Sequence, residues 1–467
     1  METARQDGPQ GESGRRAART TARGWLTGRF AHHLLPAAAA LAVTTGILLR
    51  GFNDATGRAQ AALLASVLVA FLLLLTPPLR RYWRGVAPVF AIIAAALGWS
   101  CLAAWIGPAL APDLFLTHWL GSVAGALMLL AGWLVGLRPA QVAPTVAWLV
   151  ALNAIVLLVA LVLRSMVAGA AFDYWTFAWH GRFAGTIGNS NTTAALAGAL
   201  AAIALSRLIA LVPIHGRPMP PRAAMAAVAW GAAITVAVAA QAATASRFAM
   251  LATLVAMPAV IRLGRPGMFR RRRRVVPGIV LGGLFALLVF TTSDLDMRFA
   301  SLGTELDARI RMWAHYGAVA FGSPWLGYGA GSFAAVNAAA LDDPLLAVAL
   351  WPVRSAHTLP LQLMLVAGLP YLALLGWAGW RVARRVAAAG WTLPRIGLAA
   401  GVAIIVAQSL VDIALDVPAA TMLTLFLAGL LWGESDARGG APPARDQKKR
   451  SPMRIVSPGR TRSSGVT

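Results

Sequence analysis

The string RSAHTLPLQLMLVAGLPYLALLGW, residues 354–377, decides how the whole chain is read. From Thr358 to Trp377 it is an apolar run. About 20 such residues at 1.5 Å rise cross a bilayer core of about 30 Å. Directly before it, Arg354 and His357 close a polar stretch, residues 293–357, the only long interruption among apolar runs. A histidine and several arginines are therefore held at a membrane surface, the placement expected for chemistry on a membrane-bound anionic substrate.

Working outward, the same kind of apolar run recurs along the chain. Of the 467 residues 58% are hydrophobic and 12% charged, where a soluble domain carries about 25% charged residues. The expected fold class is all-α polytopic. Twelve spans are read, near 34–49, 59–76, 86–106, 117–137, 142–163, 192–212, 223–243, 246–262, 275–292, 358–378, 394–411 and 418–433. Residues 1–30 and 434–467 read as disordered basic tails around one transmembrane domain, 31–433.

Lys and Arg orient these spans. With the N-terminus inside, 32 of the 41 basic residues fall on the cytoplasmic side, and 11 of the 17 acidic residues fall outside. Both termini are then cytoplasmic, and the long outer segments are about 164–191 and 293–357, the second lying between spans 9 and 10. The formal charge of +24 follows from short basic loops and tails, so no nucleic-acid partner is implied. The single Cys101 lies in an apolar run, which rules out a disulfide framework and a thiolate metal site.

Chemistry is sought in the outer segments and at the turn before Arg247. Residues 305–321 carry Ile310, Trp313, Ala314, Gly317, Ala320 and Phe321 at helical spacing, an amphipathic helix with Arg309, Arg311 and His315 at or off the stripe. Alone, this pattern describes a helix lying on a membrane. Pro324-Trp-Leu-Gly327-Tyr-Gly329-Ala-Gly331 lacks a preceding strand and a following lysine, so it reads as a packed turn and not a nucleotide loop. In the first outer segment Arg182 precedes Gly185, Gly188, Asn189 and Asn191; the two asparagines are suited to capping the next helix. Arg247 opens an apolar run, where an arginine costs about 2.5 kcal/mol or more near a helix centre unless it meets water or an anion. A diphosphate suits it, because guanidinium binds phosphate oxygens in pairs. His357 is placed to take a proton near neutral pH. Asp294-Leu-Asp296 and Asp342-Asp343 read as solvated turns, and no His, Glu and Asp cluster has metal-ligand spacing.

Five segments in order resemble the O-antigen ligase and O-antigen polymerase superfamily of bacterial membrane glycosyltransferases. They are Arg182-Phe-Ala-Gly185 with Gly188-Asn-Ser-Asn191, Ser246-Arg247, Arg309-Ile-Arg-Met-Trp313, Pro324 to Phe333, and Ala356-His357 running through Leu361-Gln362 to Gly368-Leu-Pro370. The resemblance implies a GT-C-like fold in the bacterial inner membrane with a periplasmic active site. It implies an undecaprenyl-diphosphate-linked glycan as donor and lipid A–core oligosaccharide as acceptor, with inverting transfer and neither metal nor cofactor. It assigns His357 as general base and Arg182 and Arg247 as holders of the donor diphosphate, with Arg309, Arg311, Asn189 and Asn191 as further substrate-binding candidates. The chain departs from the family at Ser190, where proline is usual, and at Thr358, where asparagine is usual. The shared motifs leave open an O-antigen or exopolysaccharide polymerase and a protein O-oligosaccharyltransferase. A lipid or polysaccharide transporter needs matching interrupted spans, which are not seen, and a scaffold needs no arginines at span mouths.

Overall fold

Small residues set the packing of this protein. The computed structural model describes residues 29–75, 80–166, 178–179, 182–213, 218–266, 295–342 and 344–439. These residues are nearly all helical: α1 (Arg29–Leu48), α2 (Ala55–Leu75), α3 (Arg80–Ile106), α4 (Pro112–Gly136), α5 (Pro139–Met166), α6 (Ser190–Leu211), α7 (Pro221–Thr244) and α8 (Arg247–Gly264) precede the long polar segment that ends at His357. It contributes α9 (Leu295–Gly322), α10 (Phe333–Ala340) and α11 (Pro344–Leu350), and α12 (Leu359–Ala388), α13 (Leu393–Ser409) and α14 (Pro418–Gly439) complete the bundle. One antiparallel pair of two-residue strands, β1 (Ala178–Trp179) and β2 (Arg182–Phe183), pairs Trp179 with Arg182.

Eight of these helices are long and apolar enough to cross a membrane, and 34–48 and 393–409 form shorter apolar helices. The chain is thus a multi-pass, all-α membrane protein. The expected ninth span, 275–292, lies outside the described residues, as do Asp294, Asp343 and most of both tails. At the C-terminal end, α14 runs past the expected boundary at 433 to Gly439, with Glu434 and Ser435 buried.

Helix α6 is the centre. Its run of alanines lets α7, α8 and α13 close around it, and Ala194 to Ala204 is buried throughout. Helices α4 and α14 meet through interleaved glycines. A Cβ on Gly132 or Gly136 would strike the α14 backbone at Phe426 and Leu430, and one on Gly429 or Gly433 would strike α4 at Leu129 and Trp133. In lipid, where apolar burial drives no association, this backbone approach supplies the packing attraction.

The polar segment between α8 and α12 has its own core of Met312, Tyr316, Phe333, Val336 and Leu350. Tyr316 Oη donates to Asn337 Oδ1 (2.8 Å), and Asn337 Nδ2 donates to the Leu350 carbonyl (2.9 Å). Burial pushes the Tyr316 phenol well above its ordinary value, so it stays a donor. This corrects the expected stripe on α9. Met312, Tyr316 and Ala320 face the core, while Ile310 and Phe321 are 51% and 68% exposed. Apolar residues occupy two faces of α9, and Asn337 and Phe333 decide which one is buried.

The glycine-rich turn after α9 docks into a break in α12. Ala367 and Gly368 leave helical geometry, Gly368 with φ 73°. The freed backbone is met by this turn: Tyr328 N–H donates to Leu365 O (2.7 Å), Gly329 N–H to Val366 O (3.0 Å), and Leu369 N–H to Pro324 O (2.7 Å). Trp99 Nε1 donates to Ala367 O (2.9 Å). Interrupted helix at membrane depth needs such internal partners. A Cβ at Gly327 would press on Met364 O and Ala367 N, so glycine there permits the backbone contact.

A candidate active site centred on Asp412

Four helix ends and one short loop meet at one pole of the bundle. Leu410–Val417 connects α13 to α14 and carries Asp412, whose side chain is 1% exposed. His357 Nδ1 lies 3.0 Å from Asp412 Oδ1 and Arg309 Nη2 3.5 Å from Oδ2. Asn191 Nδ2 donates to Oδ2, and the Ile413 N–H donates to Oδ1 (2.8 Å). Burial raises the Asp412 carboxyl. The His357 hydrogen bond and charge, Arg309 and the Ile413 amide outweigh it and hold the group below its ordinary 3.8. It is therefore a carboxylate at neutral pH.

The network continues to Arg182. Its Nη2 donates to Asn191 Oδ1 (2.9 Å), and its Nε donates to Thr244 O at the end of α7 (2.8 Å). Thr244 belongs to the tight α7–α8 turn: Ala245 sits at φ 51°, the Ser246 N–H donates to Thr244 Oγ1 (3.2 Å), and Arg247 is the first residue of α8. Gln241 buttresses the turn, with Nε2 2.8 Å from Thr253 Oγ1 and 3.1 Å from both Ala194 O and Ala249 O. Arg247 is half-buried, beside the positive end of a helix dipole.

Local sequence builds each piece. Gly188 at φ 77° turns the chain into α6, and Asn189 caps it by accepting from the Thr192 N–H (2.9 Å). With Asn189 as the cap, Asn191 is left to bridge Arg182 to Asp412. Arg309 also donates to the Val411 carbonyl, fixing α9 to the loop. Thr358, at the position where asparagine is usual, donates Oγ1 to Leu410 O (2.9 Å) and ties the start of α12 to the Asp412 loop. His357 itself has φ 51°, a costly conformation for a β-substituted residue that persists only where its surroundings enforce it. Gln362 helps, as its Oε1 accepts from the Ala356 N–H (2.9 Å).

His357 opens onto a small cleft lined also by Ser355, Thr358, Gln362, Asp412 and Asp416. Burial raises the Asp416 carboxyl above its ordinary value, partly offset by Arg58 and His357. With Nδ1–H donated to a carboxylate, the His357 Nε2 is the nitrogen left to accept a proton.

Of the expected site residues, Arg182, Asn191, Arg309 and His357 are joined through Asp412, and Arg247 starts the helix whose preceding turn Arg182 grips. Asn189 caps α6. Arg311 is exposed on α9 and stands outside the Asp412 network. Asp412 and Asp416 correct the expectation that all site chemistry lies in the two long outer segments or near Arg247. The signal that points to them is the basic-residue topology, which puts the 412–417 loop on the same face.

Residues 232–376 match the family model described as O-Antigen ligase. Arg247, Arg309, Arg311 and His357 fall inside that stretch, whereas Arg182, Asn191 and Asp412 fall outside it. Among curated proteins, none matches the chain.

Proposed function

We propose that this chain, whose residues 232–376 match the O-Antigen ligase family model, joins a glycan carried on undecaprenyl diphosphate to an acceptor hydroxyl. The acceptor is the lipid A–core oligosaccharide, and the site faces the periplasm from a twelve-span, GT-C-type bundle in the inner membrane with both termini cytoplasmic. The observation that carries this reading is the buried Asp412 carboxylate. It joins the imidazole His357 and the guanidinium groups Arg309 and, through Asn191, Arg182, beside the Arg247 helix start.

In the step, the acceptor oxygen attacks the anomeric carbon as the bond from that carbon to the diphosphate oxygen breaks. The diphosphate leaves with the bonding pair, and the configuration inverts. His357 Nε2 takes the hydroxyl proton, an effect worth about 10²–10⁴ in rate. Asp412 stabilises the imidazolium that forms and keeps its tautomer. Arg182 and Arg247 neutralise the charge growing on the leaving diphosphate, stabilisation placed where charge develops. Arg309 completes the cage, while Arg311 and Asn189 have weaker claims to substrate contact.

The test is transfer by purified protein in detergent from a lipid-diphosphate glycan to lipid A–core. His357→Ala and Arg247→Ala are expected to abolish transfer while the protein inserts and accumulates normally. Near-normal transfer by either removes the assignment. In a deletion strain, loss of glycan attachment to lipid A–core supports the ligase; loss of long polymer alone points to a polymerase, and loss from protein to protein glycosylation.

A further inference from the structure

At the pole of the bundle opposite His357, positive charge is in excess of its partners. Glu434, near the end of α14, is 8% exposed. Arg438 Nη2 donates to its Oε1 (2.6 Å), and Arg395 Nη1 lies 3.6 Å from its Oε2. Arg207, near the end of α6, is within electrostatic reach of the same carboxylate. Arg265 caps this end of α6 by donating to Val212 O (2.6 Å). Three guanidinium groups, those of Arg207, Arg395 and Arg438, thus gather near one carboxylate. Arg395, 0% exposed, uses Nη2 on Val386 O (2.9 Å) and Ser435 Oγ (2.8 Å), yet its Nε and Nη1 make no hydrogen bond. Arg207 Nε and Nη2 are likewise enclosed without one. Neighbouring Asp436 does not relieve this, being bonded to Trp133 Nε1 (2.9 Å) and Arg385 (3.0 Å).

Buried donors left unmade are costly, and a buried charge in excess of its partners more so. Guanidinium donors are matched best by a phosphate, which accepts paired bonds. We propose that Arg207, Arg395 and Arg438 form a binding site for a phosphate-bearing anion, with Arg207 and Arg438 at its mouth and Arg395 beneath. The 16-residue rise along α6 from Asn191 to Arg207 separates it from the Asp412 cluster by about 24 Å. It is independent of the reading given to His357. The phosphate comes either from the headgroup of an anionic lipid or from a free anion in the aqueous phase.

Thermal unfolding of the full-length protein in phosphatidylcholine nanodiscs separates the two. One arm adds inorganic phosphate at constant ionic strength; the other replaces part of the lipid with phosphatidylglycerol and adds no phosphate. Stabilisation is expected in one arm. Arg207→Gln and Arg438→Gln should each weaken the apparent affinity about tenfold, the loss of one charge-assisted contact. Arg222→Gln, an exposed arginine outside the cluster, should leave it unchanged. Arg438 is 38% exposed, so its variant carries the test if Arg207→Gln does not accumulate. Absence of stabilisation in both arms, or an equal loss with Arg222→Gln, overturns the site.

Discussion

Asp412 and Glu434 are both buried carboxylates that pair with arginine, at opposite poles of the same three helices, α6, α13 and α14, but they are built to different ends. Around Asp412 the side-chain partners arrive from segments 55 to 221 residues away in sequence. They are varied, an imidazole, an amide, a guanidinium and a backbone N–H, and the imidazole opens onto a cleft. Around Glu434 the partners are all arginines, and their donors outnumber what one carboxylate accepts. A mixed ring with matched bonds holds a base in one orientation. A ring of like cations left short of acceptors holds space for an anion.

The difference between the poles is expected to be largest at Asp412. Asp412→Asn keeps the shape and removes the charge that fixes the His357 tautomer. Transfer by purified protein should fall about 10²–10⁴-fold, the range associated with losing a competent general base, and the loss should persist at saturating acceptor. A variant within a few-fold of the parent would reduce Asp412 to a structural tie. Asn191→Ala should fall by less, since Arg182 keeps its bond to Thr244 O.

Much of the fold was legible because twenty-residue apolar runs and the basic-residue bias report on single segments. Eleven of the twelve expected spans overlap a helix in the described residues. Arg182, Arg309 and His357 were legible as basic side chains in the two long polar segments, with Arg247 at the mouth of a span. Asp412 was not, because a hub is defined by partners that sequence spacing cannot bring together, and one acidic residue in a short loop looks like any solvated turn. The stripe on α9 misled for a related reason. Ile310 and Phe321 are at least as apolar as Met312 and Tyr316, so periodicity alone could not say which face Phe333 and Val336 would cover.

The poles are linked by α14, and its packing is the next place to press. Gly429→Ala puts a methyl against Leu129 O and the Trp133 N–H of α4. Because backbone cannot yield as a side chain does, a stability loss of about 1–3 kcal/mol is expected, the cost of overpacking. Thermal unfolding in detergent reads it. Both poles should loosen together, so transfer and any phosphate-dependent stabilisation should decline in parallel. Decline of one alone would show that the poles are mechanically separate.

Acid distinguishes Asp412 by a smaller effect. The Asp412 carboxyl is held below 3.8 in the folded protein, so the unfolded chain takes up that proton first as pH falls. Its stabilisation is complete above the ordinary aspartate value and is lost as pH drops through the lower folded value. The unfolding temperature should therefore fall below about pH 4, and Asp412→Asn should flatten that limb. An acid limb unchanged by the substitution would mean that other carboxyls govern it.

The smallest effect is expected at the rim of the far pole. Arg385 pairs with Asp436 at 3.0 Å but is 41% exposed, and exposed pairs contribute about 0.2–1 kcal/mol. Arg385→Ala leaves Asp436 its bond from Trp133 Nε1, so little desolvated charge is stranded. Glycan transfer should be unchanged and the unfolding temperature nearly so. The contrast with Arg395 is one of depth and bonding, since Arg395 is fully buried on Glu434 and also donates to Val386 O and Ser435 Oγ. A loss at Arg385 as large as that at Arg395 would show that Asp436 depends on its arginine as fully as Glu434 does, and that the far pole is one continuous charge network and not a rim around a site.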